Sequence, residues 1–122
     1  MKEKELMVGD WVKDWGTPKQ IEYGCEIEDA EFYEPVIITK EILKKNGFER
    51  DGAYSRVYRK KTMYGYITSS PSLHQATLHA AIPHNGLDYD ITLTSCYYVH
   101  ELQHAMKLVG LYEMANEFKV DK

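Results

Sequence analysis

Residues 97–110 decide how this chain is interpreted, and they read Tyr97-Tyr98-Val99-His100-Glu101-Leu102-Gln103-His104-Ala105-Met106-Lys107-Leu108-Val109-Gly110. Placed at helical spacing, the apolar side chains fall within one arc about 120° wide. This arc contains Tyr98, Val99, Leu102, Ala105, Met106 and Val109. The pattern predicts an amphipathic helix that begins near Thr94 or Ser95, packs its apolar face on a sheet and ends at Gly110.

The same segment contains the pattern His-Glu-x-x-His, in which two histidines bind zinc and the glutamate activates a water molecule. On that interpretation His100 and His104 are metal ligands and Glu101 is the catalytic base of a small zinc hydrolase. In helical projection, however, both histidines lie opposite the apolar arc and face solvent or a partly covered groove. Lys107 lies beside them, and its ammonium group would repel a dication.

A catalytic zinc site also needs a third protein ligand, and the sequence does not complete the set. The residues that could supply it are Glu113, Glu117, His74, His79 and His84. We therefore predict that residues 100–104 form the outer face of an ordinary helix in a protein without a cofactor. A zinc enzyme is the alternative.

Composition favours one soluble globular domain over residues 1–122, because 43% of the residues are apolar and 28% are charged. The net charge of -4 gives no broad attraction for nucleic acid. No stretch is long and apolar enough for a membrane span or a signal peptide, which predicts a cytoplasmic protein that does not contact the membrane. Cys25 and Cys96 lie far apart in sequence and predict no disulfide framework.

The N-terminal part predicts a small β-meander. The segment from Leu6 to Val12 suits a strand with a bend at Gly9-Asp10, and a turn follows at 15–18. Short strands are expected at 20–23 and 25–27. This opening resembles the first strands of an SH3-like barrel, which implies a second alternative function, nucleic-acid binding. The residues that would contribute are Trp11, Trp15 and the basic segment 56–61.

The remaining elements predict an α+β fold with a mainly antiparallel sheet. Thr39 is expected to cap one short central helix that ends at Asn46-Gly47, ahead of the longer C-terminal amphipathic helix. Aromatic and β-branched residues indicate strands at 54–59, 62–68, 73–82 and 87–93. The sequence Asn85-Gly86 predicts a tight hairpin between the last two of these strands.

Three segments together resemble a group of small uncharacterised proteins carried by gut anaerobic bacteria and their phages or mobile elements. They are residues 6–12, 38–48 and 98–104. The resemblance implies an accessory or host-interaction role, and we predict a non-enzymatic cytosolic module whose partner is a host protein or a small ligand. The aromatic strands 54–67 and the sheet face that carries Tyr89 are the expected contact surfaces.

Overall fold

The computed structural model describes residues 1–50, 52, 56–62, 65–72, 75–81, 88–108 and 110–120, with side chains throughout except at 75–76, 78–81 and 88–95. It confirms the α+β class, because two antiparallel sheets are combined with short and long helices. The chain divides into two compact units. The first contains residues 1–37 and 98–122, and the second contains residues 38–97. The prediction of a single domain over 1–122 stays a prediction.

The first unit is built on a three-stranded sheet with the order β2-β1-β3. These strands are β1 (Trp11–Asp14), β2 (Thr17–Gln20) and β3 (Tyr33–Pro35). A short 3₁₀ helix (Glu3–Glu5) precedes the sheet, and a second 3₁₀ helix (Gly24–Phe32) connects β2 to β3. A small hydrophobic core forms where these elements meet, and its buried members are Leu6, Val12, Ile21, Ala30 and Tyr33.

The predicted turn after β1 is a two-residue hairpin loop. Asp14 pairs with Thr17, and the two residues between them both have positive φ angles, 54° at Trp15 and 78° at Gly16. Positive φ at both central positions is the requirement of a type I′ turn, whose twist matches that of the flanking strands. Gly16 meets it without cost, whereas a residue with a Cβ, such as Trp15, is strained there by about 1 kcal/mol.

The strands predicted at 20–23 and 25–27 were wrong beyond Gln20. Residues from Gly24 to Phe32 form the 3₁₀ helix instead. The physical reason lies in Glu26, whose carboxylate accepts hydrogen bonds from the backbone N–H groups of Glu22 and Tyr23, each at 2.9 Å. A side chain that satisfies these donors locally removes their need for a strand partner. The SH3-like arrangement of this portion stays a prediction.

Two helices complete the first unit, α2 (Val99–Leu108) and α3 (Tyr112–Asn116). The predicted start of α2 near Thr94 or Ser95 was wrong, because those residues continue a strand of the second unit. Helix α2 begins at Val99, where Glu101 accepts a hydrogen bond of 3.0 Å from the Tyr98 backbone N–H. Gly110 follows α2 with a φ of 84°, so the predicted end of the helix is confirmed.

The second unit contains α1 and a five-stranded sheet in sequential order. Its elements are α1 (Lys40–Lys45), β4 (Glu49–Arg50), β5 (Tyr58–Thr62), β6 (Gly65–Ser70), β7 (Gln75–Ala81) and β8 (Asp88–Ser95). The predicted caps of α1 are confirmed, since Thr39 accepts from the Ile42 N–H and Gly47 has a φ of 85°. The predicted hairpin at Asn85-Gly86 lies outside the described residues, as do His74 and His84.

Two further predictions concern the chain as a whole. In the described part of the chain, no helix is long and apolar enough to cross a membrane. Neither Cys25, which is exposed, nor Cys96, which is buried, forms a disulfide.

Candidate functional site

Helix α2 is buried over a wider arc than its apolar residues predict. Val99, Leu102, Ala105 and Met106 are buried, as expected, but so are His100, at 6% exposure, and Gln103, at 0%. The prediction that the polar face of this helix points outward was therefore wrong at these two positions. The reason is that the loop before β1 lies along this face and bonds to it.

The strongest of these connections is the side chain of Gln103. Its amide nitrogen donates to the carbonyl oxygens of Gly9 (2.6 Å) and Ala115 (2.9 Å), and its amide oxygen accepts from the Trp11 N–H (3.0 Å). One amide thus bonds to three backbone groups, of which the Gly9 carbonyl also accepts from the Gln20 side chain. It ties α2 at once to the N-terminal loop, to β1 and to α3.

The second connection is made by His104 and Asp10. His104 Nε2 lies 2.6 Å from Asp10 Oδ2, and the same oxygen accepts a 2.8 Å hydrogen bond from the Met7 N–H. The Asp10 side chain is fully buried, whereas the His104 side chain is 24% exposed. Asp10 Oδ1 has no hydrogen-bond partner among the described residues. The imidazole is accordingly the principal compensation for a carboxylate removed from water.

His100 lies between aromatic neighbours. Its ring stacks on Tyr98, with the ring centres 5.9 Å apart, and meets the ring of His104 edge-on at 5.7 Å. Its Nδ1 is buried and finds no hydrogen-bond partner in the described part of the structure. Burial lowers the pKa of His100 below its ordinary value of 6.5, although the nearby charge of Asp10 acts in the opposite direction. His100 is therefore an uncharged packing residue at neutral pH.

Glu101 of the motif and Lys107 beyond it also have structural partners. Glu101 was expected to meet solvent, but its carboxylate accepts from the backbone N–H at the start of its own helix. Lys107, which was expected to lie beside the histidines, donates to the carbonyl oxygen of Val8 at 3.1 Å. Among the described residues no group of three or more histidine, cysteine, aspartate or glutamate side chains could hold a metal ion. Zinc binding by His100 and His104, with Glu101 as base, stays a prediction.

The lowered pKa of His100 predicts how stability depends on pH. Below about pH 6.5 the unfolded chain binds a proton at His100 that the folded chain binds only at lower pH. The contribution of His100 to the free energy of unfolding should therefore be constant above pH 6.5 and fall as the pH is lowered towards 5. Urea denaturation of the wild type and of His100→Phe at pH 5, 6 and 7 measures this. The variant should lose less stability than the wild type across the range, and equal losses would contradict the assignment.

A separate surface of the first unit lies at one end of its sheet. Trp15 at the tip of the β1–β2 turn is 92% exposed. Phe32, which immediately precedes β3, is 63% exposed. Because Asp14 pairs with Tyr33, these two aromatic residues follow the last pair of the β1–β3 ladder and lie at the same end of the sheet. We call Trp15 and Phe32 together the aromatic end.

Trp11, by contrast, is not available for base stacking. It is only 7% exposed, and its indole N–H donates to the carbonyl oxygen of Phe118. The nucleic-acid alternative counted Trp11 among its contributing residues together with Trp15 and the segment 56–61, and Trp11 is buried. Nucleic-acid binding itself stays a prediction. The predicted contact surface on strands 54–67 also loses one of its aromatic residues, because Tyr58 is buried. Tyr66 is exposed. The side chain of Tyr89 lies outside those described.

Sequence reasoning missed Asp10, Gln103 and Phe32. Asp10 and Gln103 are polar residues at positions where periodicity indicates solvent, and only their long-range partners show otherwise. Phe32 carried a usable signal, since an aromatic pair, Phe32-Tyr33, flanked by Glu31 and Glu34 is unusual for a buried strand. No family model matches the chain, and no match was found among curated proteins or solved structures.

Proposed function

We propose that this protein is a non-enzymatic binding module that contacts its partner through the aromatic end. The observation that carries the proposal is Trp15, an almost fully exposed indole at the tip of a two-residue turn. The accessory or host-interaction role implied by the sequence resemblance is compatible with such a surface. The residues of the histidine motif support the fold on this view and perform no reaction.

An exposed tryptophan is unfavourable on a surface that binds nothing. Tryptophan and phenylalanine bury more apolar area than most side chains, and tryptophan is prominent among the residues that dominate binding energy at protein interfaces. Trp15 and Phe32 follow neighbouring paired positions of adjacent strands, which are about 4.8 Å apart. A single partner side chain or segment can therefore reach both.

The backbone at Trp15 strengthens the argument. Asparagine or glycine suits the left-handed conformation found there, whereas tryptophan is strained in it and gains no packing in return, being 92% exposed. Residues held in an unfavourable backbone conformation that no packing compensates occur preferentially at functional positions.

The substitution Trp15→Asn separates function from folding. Asparagine at this position, followed by Gly16, forms the preferred type I′ sequence, so the free energy of unfolding should rise by about 0.5–1 kcal/mol. Binding should fall by at least tenfold, because loss of an interface tryptophan costs about 2 kcal/mol or more. Urea denaturation measures the first effect and crosslinking yield measures the second.

In the crosslinking experiment the photoreactive residue p-benzoylphenylalanine replaces Phe32, and the chain is produced in the cells in which it naturally occurs. A discrete crosslinked species is expected, and Trp15→Asn should abolish it. The matched control places the same residue at Tyr112, an exposed aromatic position on α3. Equal capture from positions 32 and 112, or capture from 32 that does not depend on Trp15, would contradict the proposal.

A further inference from the structure

Acidic residues are concentrated in the segment that leads up to and away from Phe32. Between residues 20 and 39 the chain contains no lysine or arginine, yet it contains six acidic residues: Glu22, Glu26, Glu28, Asp29, Glu31 and Glu34. All lie in or beside the 3₁₀ helix (Gly24–Phe32) and β3, which lead up to and away from Phe32. This segment alone therefore carries six carboxylates, against a net charge of -4 for the whole chain.

Most of these carboxylates are open to a partner. Glu26 is occupied, because its Oε2 lies 2.6 Å from Lys19 Nζ. The other five acidic residues are exposed. Glu31 directly precedes Phe32 in sequence. Glu34 is two residues beyond Phe32, on the side of β3 opposite to buried Tyr33.

Basic residues nearby offset this charge only in part. Lys13 pairs with Glu34 across the β1–β3 ladder, and Lys2 and Lys4 line a groove together with Glu28 and Glu31. The N-terminal ammonium group of Met1 is also close, because it donates to the carbonyl oxygens of Ala30 (2.9 Å) and Tyr33 (3.1 Å). Lys13 is half-buried and belongs to the sheet itself, whereas the acidic residues continue along the whole connection between β2 and β3. The surface next to Trp15 and Phe32 therefore presents an apolar centre and a largely acidic rim.

We propose that the partner presents a basic segment of protein, in which an apolar side chain meets the aromatic end and flanking lysine or arginine side chains meet Glu31 and Glu34. This inference rests on the binding function proposed above and specifies the chemistry of the partner. A cation can also lie against the exposed face of the Trp15 indole, which adds attraction on the same surface. Nucleic acid is repelled by this rim, because its phosphates carry the same sign of charge.

The probe is a synthetic peptide of about 12 residues made of arginine, lysine, leucine and glycine, compared with its counterpart in which glutamate replaces every basic residue. Binding is followed through the fluorescence of Trp15 in the full chain, and Trp15→Phe identifies the contribution of buried Trp11. The basic peptide should bind and the acidic peptide should not. The affinity of the basic peptide should fall by at least tenfold between about 50 and 300 mM salt, because exposed charges are screened.

Removal of two charges locates the site. Glu31→Gln combined with Glu34→Gln should weaken peptide binding by roughly fivefold, since each exposed ion pair contributes modestly. The matched control is Glu113→Gln with Glu117→Gln, which removes the same charge from an exposed part of the first unit around α3. An equal effect of the two double variants would overturn the assignment, because it would indicate general attraction to an acidic protein.

Other outcomes are also decisive. Tighter binding of a single-stranded oligonucleotide than of the basic peptide, or a change in sedimentation that shows this surface occupied by a second copy of the chain, would overturn the inference. If the position-32 crosslink depends on Trp15 but is unchanged by the Glu31 and Glu34 substitutions, the binding function stands and the basic partner is wrong. If position 32 captures nothing, the binding function itself fails.

Discussion

Replacing Gln103 by leucine should lower the free energy of unfolding by about 3–5 kcal/mol, the largest effect we expect from any single substitution in the chain. Leucine has nearly the same volume, so the loss comes from hydrogen bonds and not from a cavity. The Trp11 N–H and the Ala115 carbonyl would be left buried without their partner, at about 1–3 kcal/mol each. Urea denaturation at neutral pH measures the change.

Gln20→Leu is the matched control for this prediction. The side chain of Gln20 also donates to the Gly9 carbonyl, at 3.0 Å, and to the Asn116 carbonyl, at 2.9 Å, but it is half-exposed. Water can replace its hydrogen bonds, so the same substitution there should cost about 1 kcal/mol or less. Comparable losses at positions 20 and 103 would show that burial of the Gln103 amide does not determine its contribution.

His104→Ala should have the second largest effect, a loss of about 2–4 kcal/mol in the free energy of unfolding. The substitution leaves the Asp10 carboxylate fully buried, with the Met7 N–H as its one hydrogen-bond donor among the described residues. Removal of one member of a buried pair leaves the other uncompensated, and this cost exceeds the value of the pair itself. Because the His104 side chain is 24% exposed, the expected loss of unfolding free energy is smaller than for a completely buried pair.

A second substitution at Asp10 tests the cause. An amide at this position carries no charge that needs compensation, so Asp10→Asn alone should cost little more than about 1 kcal/mol and should recover much of the stability lost in His104→Ala. The double-mutant cycle should give a coupling energy of about 1–3 kcal/mol. Simple additivity of the two substitutions would mean that the 2.6 Å contact between His104 and Asp10 does not stabilise the fold.

The sequence contains enough information to predict the elements that depend on local physical chemistry. The cap at Thr39, the left-handed Gly47, the turn at Trp15-Gly16 and the apolar arc of α2 each follow from the residue type and its spacing. These features need no knowledge of what lies elsewhere in the chain. The α+β class follows from their order.

The candidate sites depend on contacts that spacing does not encode. Periodicity assigns a polar helical residue such as Gln103 to solvent, but its three partners are backbone groups, which every sequence possesses and no side-chain pattern reveals. Phe32 is a different case. It ends the 3₁₀ helix (Gly24–Phe32) that Glu26 stabilises, in a part of the chain where short strands had been predicted only at 20–23 and 25–27.

The first unit is discontinuous, since residues 1–37 are completed by residues 98–122. The ribosome therefore releases Trp11 long before Gln103, which is 92 positions later. At about 5–20 residues per second, translation of the intervening chain takes roughly 5 to 18 s. During that interval Val12 and Ile21 belong to a unit whose C-terminal helices have not yet been synthesised. Nascent chains of this protein should accordingly depend on chaperones until synthesis is almost finished, whereas residues 38–97 emerge as one uninterrupted piece.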